Sequence, residues 1–239
     1  MSETKSTFSL RKFQSLLALA LMVGALSILS ENFLTPDNGW NILRQISVNL
    51  CLSIGMTLVI LSGGIDLSVG AILGLTGAVA AGLLKNGATL GGLDARLEFT
   101  VTGAIVAGIA VGGAAGWFNG FAITRFKLPP FVATLGMLSI ARGLTMLWTG
   151  GFPVTSLGPT FGFLGTGAFL GMPMPVWIML ALVAVLVVVT QRTRFGRHIY
   201  AVGGNERAAR LTGLNVPRIK LAVYTLAGAL AGVAGLIVT

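Results

Sequence analysis

Charge is what this chain of 239 residues has least of: only 10% of them are Asp, Glu, Lys or Arg, against about 25% in soluble domains. Together with a hydrophobic share of 54% and a mean hydropathy of +0.89, that shortage excludes an ordinary soluble domain. The single cysteine, Cys51, excludes an internal disulfide, and the single histidine, His198, leaves no material for a metal centre or a histidine-based nucleophile relay. The dipeptide Gly-Lys never occurs, so no phosphate-cradling Gly-x-x-x-x-Gly-Lys-Ser/Thr loop is possible, and any ATP chemistry must belong to another polypeptide. No catalytic constellation is present; an enzyme, a resident cofactor and a bound metal are not expected. Alternating apolar and polar strands, the mark of an outer-membrane barrel, are also missing. Acids are scarcer than bases, 7 against 16, for a net charge of +9. In a soluble protein that excess would suggest nucleic acid. Here the position of the charges matters more than the sum, and nucleic acid is not an expected partner.

What is present is a series of uncharged apolar runs, long enough to cross a hydrocarbon core about 30 Å thick. They predict an all-α, polytopic integral membrane protein with seven spans, at 14–29, 41–61, 67–84, 99–121, 131–148, 175–190 and 221–239. Residues 31–39 read as a turn-rich loop, with Trp40 placed as an interfacial anchor. The segment 150–173 carries no charge, yet is too rich in Gly and Pro for a regular span. No linker separates soluble domains, so residues 1–239 read as one transmembrane domain.

Basic residues collect on the cytoplasmic side of inner-membrane proteins. With the N-terminus inside, the inner segments hold Lys5, Arg11, Lys12, Arg125, Lys127, Arg192, Arg194, Arg197, Arg207, Arg210, Arg218 and Lys220, which is 12 of the 16 bases. Four of the seven acids, Glu31, Asp37, Asp94 and Glu98, then fall outside. An N-in orientation follows, with 191–220 cytoplasmic and 150–173 periplasmic.

Between the second and third runs lies Ser62-Gly63-Gly64-Ile65-Asp66-Leu67-Ser68-Val69-Gly70. Apart from Arg44 at the outer edge, Asp66 is the only charged group of that region. A charge at the centre of a span costs roughly 2.5–3.5 kcal/mol on insertion scales, so such residues are partnered, hydrated or functional. One reading makes Asp66 a cap that accepts from the N–H of Ser68 or Val69. The other has it line a polar path, and the two are compatible. Small residues recur every fourth position at Gly108, Gly112, Gly116 and Gly120, and again at Gly70, Gly74, Ala78 and Gly82. Such stripes let helix backbones approach closely where lipid offers no drive for association. Packing within one subunit is the favoured reading of both.

The segment 191–220 is the most informative polar stretch. Asn205 is a good N-cap, Glu206 suits the first turn, Arg210 the last, and Gly213 the stop, with Pro217 beyond, so a helix of about two turns is predicted there.

Three groups of residues carry a family likeness. Gly55-Met56-Thr57-Leu58-Val59-Ile60 leads into the Gly63–Gly70 motif. Arg194-Phe195-Gly196-Arg197-His198-Ile199-Tyr200-Ala201-Val202-Gly203-Gly204-Asn205-Glu206 is followed by Ala208-Ala209-Arg210-Leu211-Thr212-Gly213-Leu214-Asn215-Val216. Phe131-Val132-Ala133-Thr134-Leu135, Arg142-Gly143-Leu144-Thr145-Met146 and Pro173-Met174-Pro175-Val176-Trp177-Ile178-Met179 extend it. Together they resemble the membrane-spanning permease subunits of bacterial ABC sugar importers, ribose permeases most of all. The resemblance covers nearly everything from Phe33 onward. It implies a multi-pass protein of the bacterial inner membrane that moves ribose or a related monosaccharide inward. The implied partners are an ABC ATPase, a periplasmic sugar-binding protein, a second permease copy forming a homodimer, and membrane lipid. The alternative is an ion-coupled secondary transporter, which would want paired intramembrane carboxylates.

Family members also continue past the equivalent of Thr239, so this chain is expected to lack C-terminal spans. The resemblance implies that 191–220 holds the ATPase-coupling helix, with Asn205, Glu206, Arg207, Arg210 and Gly213 as candidate coupling residues. Arg207 interrupts the family's Glu-Ala-Ala form at this point. For the substrate path the candidates are Asn49, Thr57, Asp66, Ser68, Asn119 and Arg142, since a neutral polyol needs hydrogen-bonding groups more than fixed charge.

Overall fold

The computed structural model describes residues 13–89 and 96–239; Lys5, Arg11, Lys12 and Asp94 lie outside the described residues. Within them the chain is almost wholly helical. It divides into two compact units, 1–43 and 44–239.

In the first unit, α1 (Gln14–Leu29) has no buried residue and is apolar on all sides. Its 16 residues rise about 24 Å at 1.5 Å per residue, short of a full hydrocarbon core. The following helix, α2 (Pro36–Leu61), starts earlier than the apolar run suggests. The reason is local chemistry within 31–39. Pro36 takes the first helical position, where its missing N–H costs nothing. The Thr35 hydroxyl accepts from the Asn38 N–H at 3.3 Å, and Asp37 lies in the positive first turn.

The second unit holds the remainder of α2 with α3 (Val69–Asn86), α4 (Val101–Arg125), α5 (Pro130–Thr149), α7 (Met174–Arg192) and α10 (Val216–Val238). Among the described residues those five and α2 are the six helices long and apolar enough to cross a membrane, with α1 as a shorter apolar one. Between α5 and α7 the uncharged segment folds into a short helix, α6 (Pro159–Thr166), and a hairpin pairing Ala168–Phe169 with Met172–Pro173. Phe161 of α6 is buried against Ala80, Ala104 and Leu236. A second hairpin pairs Ala88–Thr89 with Arg96–Leu97.

The hub is α10, which packs most extensively on α4 and then on α3; α3 in turn packs on α5 and α4. Glycine decides the first of these contacts. A methyl group at Gly112 would fall on the Gly228 carbonyl, and one at Gly116 on the Tyr224 carbonyl. At Gly120 it would meet the Cα of Leu221 at 2.9 Å. The two backbones therefore lie against each other with no side chain between them, as the stripe at 108–120 predicts for packing inside one subunit.

The basic segment differs from its sequence reading in two ways. Arg194–Gly204 is a helix of its own, α8, capped by the Thr193 hydroxyl accepting from the Gly196 N–H at 3.1 Å. Gly203 and Gly204 stand outside the helix that Asn205 caps and form the last turn of α8. Its Ile199 and Val202 sink into a cluster with Leu58, Val59, Val223 and Tyr224, a tertiary gain that offsets the weak helix propensity of three glycines. The last span begins at Val216, five residues before its apolar run. The Asn215 side chain accepts from the Arg218 N–H at 3.2 Å, and Pro217 sits in the first turn where a proline is tolerated.

Candidate functional site

The turn between α2 and α3 holds a buried polar network. Asp66 and Ser68 are 1% and 0% exposed. Asp66 Oδ1 accepts from the Ser68 N–H at 2.8 Å and from the Ser68 hydroxyl at 2.6 Å. Ser68 Oγ in turn accepts from Asn119 Nδ2 of α4 at 2.9 Å. Asp66 Oδ1 thus meets the N–H of Ser68, as expected, but Ser68 and not Asp66 stands at the cap position of α3, whose first N–H groups have no side-chain acceptor among the described residues. Two neighbours secure the turn. The Leu67 N–H donates to Thr134 Oγ1 of α5 at 3.2 Å, and the Tyr224 hydroxyl of α10 donates to the Ile65 carbonyl at 3.2 Å. The turn is thus pinned by α4, α5 and α10 together. Two acceptors, Asp66 Oδ2 and Asn119 Oδ1, are buried with no hydrogen bond among the described residues; each is a vacant acceptor position inside the network.

Of the six path candidates, Asp66, Ser68 and Asn119 thus meet in one place. Asn49 and Thr57 do not join them. They lie on an exposed face of α2, in an i, i+4 row with Ser53, which was not among the sequence candidates. The Ser53 hydroxyl donates to the Asn49 carbonyl at 2.8 Å and the Thr57 hydroxyl to the Ser53 carbonyl at 2.7 Å. The signal for Ser53 was its spacing, four residues from each of the other two.

Arg142 stands apart again. It is exposed on α5 and lines a hollow of about 330 Å³ with Gly70, Ala71 and Gly74 of α3 and Thr145 and Met146 of α5. Its side chain makes no ion pair or hydrogen bond among the described residues. Seven residues separate it from the end of α5 at Thr149, roughly 10 Å of helix. The Cα–Cβ bond tilts toward the helix N-terminus, away from that nearer end. A guanidinium at the centre of a span costs about 2.5–3.5 kcal/mol against hydrocarbon on insertion scales, so this placement is unfavourable in lipid.

The coupling candidates form a compact group. α9 (Glu206–Leu211) has Asn205 as its cap, whose side chain accepts from the Ala208 N–H at 2.9 Å. Gly213 follows with φ of 85°, the left-handed stop that its position predicted. Glu206 pairs with Arg210 at 2.6 Å and with Lys220 of α10 at 2.6 Å. These cations, Lys220 first, hold the Glu206 carboxyl below its usual range. Arg207 points outward and Leu211 is 86% exposed, while Ala209 is buried. The helix pair thus rests one face on α2 and α10 and offers the other outward. Beside it Lys127, Pro129, Glu206, Arg210 and Lys220 line a hollow of about 610 Å³.

Comparison with known proteins agrees with this architecture. Residues 39–239 match the family model described as the branched-chain amino acid transport system / permease component. The Ribose import permease protein RbsC of Escherichia coli K12 is 45% identical over 228 residues, covering 94% of this chain and 68% of the relative. Its namesake in Bacillus subtilis is 44% identical over 232 residues, covering 96% and 69%. The D-allose transport system permease protein AlsC of Escherichia coli is 38% identical over 229 residues, covering 95% and 67%. No solved structure matches the chain. Matched over most of its length and built of apolar helices around α10, the chain belongs to this family of transport permease components and is a multi-pass protein of the bacterial inner membrane.

Proposed function

We propose that the chain is the membrane-spanning subunit of an ABC importer for ribose or a closely related monosaccharide. A separate subunit hydrolyses ATP, a periplasmic binding protein delivers the sugar, and two permease copies enclose the path. The choice of sugar rests on the relatives' names, which specify ribose and allose. The ion-coupled alternative lacks support, since Asp66 is the one carboxylate buried among the described residues and a second does not stand near it.

The observation that carries the reading is the α8–α9 pair. In the N-in orientation it lies on the cytoplasmic side, with Arg207, Arg210 and Leu211 turned outward. Behind them Ile199 and Val202 belong to the same buried cluster as Tyr224, whose hydroxyl holds the turn bearing Asp66. A push on the outer face therefore reaches the α2–α3 turn through packed side chains. Asn205 and Gly213 set the ends of the docking helix, and Glu206 ties it to α10.

The test is uptake of labelled ribose in cells lacking their own ribose permease but supplied with this chain, its ATPase and its binding protein. ATPase co-purification and ribose uptake are expected together; failure of both would remove the importer reading. Thiol labelling checks orientation. Ser156→Cys should react with an impermeant reagent from outside, and Thr212→Cys should not.

A further inference from the structure

Arg142 is a fixed cation on an exposed span face with no ion pair among the described residues, and that placement is unfavourable against lipid. The helix face beside it is also unusual. Gly70 and Gly74 have no atom within 4 Å of the position a Cβ would take, so the hollow reaches down to the backbone of α3. Thr145 donates its hydroxyl proton to the Ala141 carbonyl at 2.8 Å, which leaves its oxygen free to accept. The wall thus presents a planar array of N–H donors, one hydroxyl acceptor and a strip of open backbone, around about 330 Å³. A volume near 300 Å³ is at the lower end for a small-molecule site.

We propose that this hollow is a sugar-contacting station of the permeation path, at which Arg142 donates to adjacent hydroxyls of a neutral polyol. Arginine suits the task because its guanidinium never loses its proton and offers donors in a fixed plane, matching a pair of neighbouring oxygens. Thr145 accepts from a hydroxyl on the same ring. Gly70 and Gly74 admit the ring to the helix backbone, where any side chain would hold it off. Because the substrate carries no charge, the cation attracts the hydroxyl oxygens without trapping the sugar as it would a carboxylate. The proposal deepens the importer reading and rests on it for the identity of the sugar. That the face is water-lined stands on Arg142 and the open glycines alone.

The experiment uses the full chain with its ATPase and binding protein, and has two arms. In the first, Gly74→Cys and, as a control, Val185→Cys on the exposed face of α7 are treated with a membrane-impermeant cationic methanethiosulfonate. Gly74→Cys is expected to react at least tenfold faster, and more slowly while ribose is being transported. Equal rates would place the hollow in lipid or in a dry contact and overturn the proposal. In the second arm, Arg142→Gln and Gly74→Leu are each expected to cut maximal ribose uptake at least tenfold, with membrane abundance and ATPase co-purification unchanged. Arg142→Lys should fall between. Gly74→Leu guards against misfolding at Arg142, since it fills open space. Wild-type uptake in both Arg142→Gln and Gly74→Leu overturns the proposal. Absence of ATPase association or ribose uptake in the unmodified chain overturns the importer reading instead, and the labelling arm still decides whether the hollow is water-lined.

Discussion

The two stripes of small residues have the same period and opposite fates. On α4, Gly112 and Gly116 lie against the carbonyls of α10, so the helices touch backbone to backbone. On α3 the C-terminal half of the stripe is also used, since the Ala78 carbonyl accepts from Trp148 Nε1 of α5 at 3.0 Å, but Gly70 and Gly74 face open space. One spacing thus serves two purposes. Glycine opposite a neighbouring backbone lets a helix pack; glycine opposite nothing leaves room beside Arg142. The difference separates residues that hold the bundle together from residues free to do work.

The largest test of this distinction is to add the same side chain to each stripe. Gly116→Val drives two methyl groups into the α10 backbone. Overpacking a core costs about 1–3 kcal/mol and sometimes more, and a backbone neighbour cannot turn aside, so the upper end is expected. Membrane yield should collapse and the melting temperature in detergent should drop, while Gly74→Val melts near wild type. Equal melting temperatures for the two variants would erase the distinction.

Gly213 sharpens the comparison, because it has open space around it and still requires glycine. At φ of 85° an L-residue pays about 1–2 kcal/mol, and a β-branched one tolerates that region poorly. Gly213→Val is expected to disturb the end of α9, reducing ATPase co-purification several-fold while membrane abundance persists. A pull-down against the wild-type chain measures this; undiminished association would detach α9 from docking.

The buried Asp66 network gives a smaller effect with a clear sign. Asp66→Asn keeps the Oδ1 that accepts from Ser68, so stability should stay within about 1 kcal/mol of wild type. Asp66→Ala strands the Ser68 N–H and hydroxyl, a loss of about 1–3 kcal/mol for a buried group. Thermal melts of the two variants separate the acceptor role from any further one. An Asn variant that melts normally but transports less would assign Asp66 to the path as well.

The smallest effect lies at the surface. Glu206 is held below its ordinary range by Lys220 and Arg210. A carboxyl with a depressed folded pKa contributes stability above its unfolded value and loses it as the pH falls through the folded one. The link from α9 to α10 should therefore loosen only in acid, below the normal glutamate range. The Arg210 pair is exposed, and Glu206 itself is 38% exposed although Lys220 is largely covered, so solvent screens both pairs and each is worth at most about 1 kcal/mol. Glu206→Gln should flatten the acid side of a melting-temperature profile against pH, and an unchanged profile would leave the pair without energetic weight.

Much of this was legible beforehand, for reasons the particular residues make plain. Cap, first-turn acid, last-turn base and left-handed stop at Asn205, Glu206, Arg210 and Gly213 were all readable because each acts within a turn of itself. Asp66 as acceptor for Ser68 was readable for the same reason. α8 was not, because a segment with Gly196, Gly203 and Gly204 has little intrinsic drive to be helical and gains its order from Ile199 and Val202 joining the buried cluster of Tyr224. The starts of α2 and α10 were set early by Thr35 and Asn215, whose capping bonds outrank the polarity of the residues that follow.

The sequence by itself determined the class of protein, its apolar helices and the chemistry of its helix ends, since hydropathy, charge and capping are properties of neighbours along the chain. Only the tertiary structure decided which glycines touch and which stand open. It alone brought Asn119 to Ser68 across 51 residues, and left Asn49 and Thr57 on another face. It also set Arg142 beside the backbone of α3. These depend on how far one helix lies from another and how each is rotated, and a period of four residues carries neither distance nor facing.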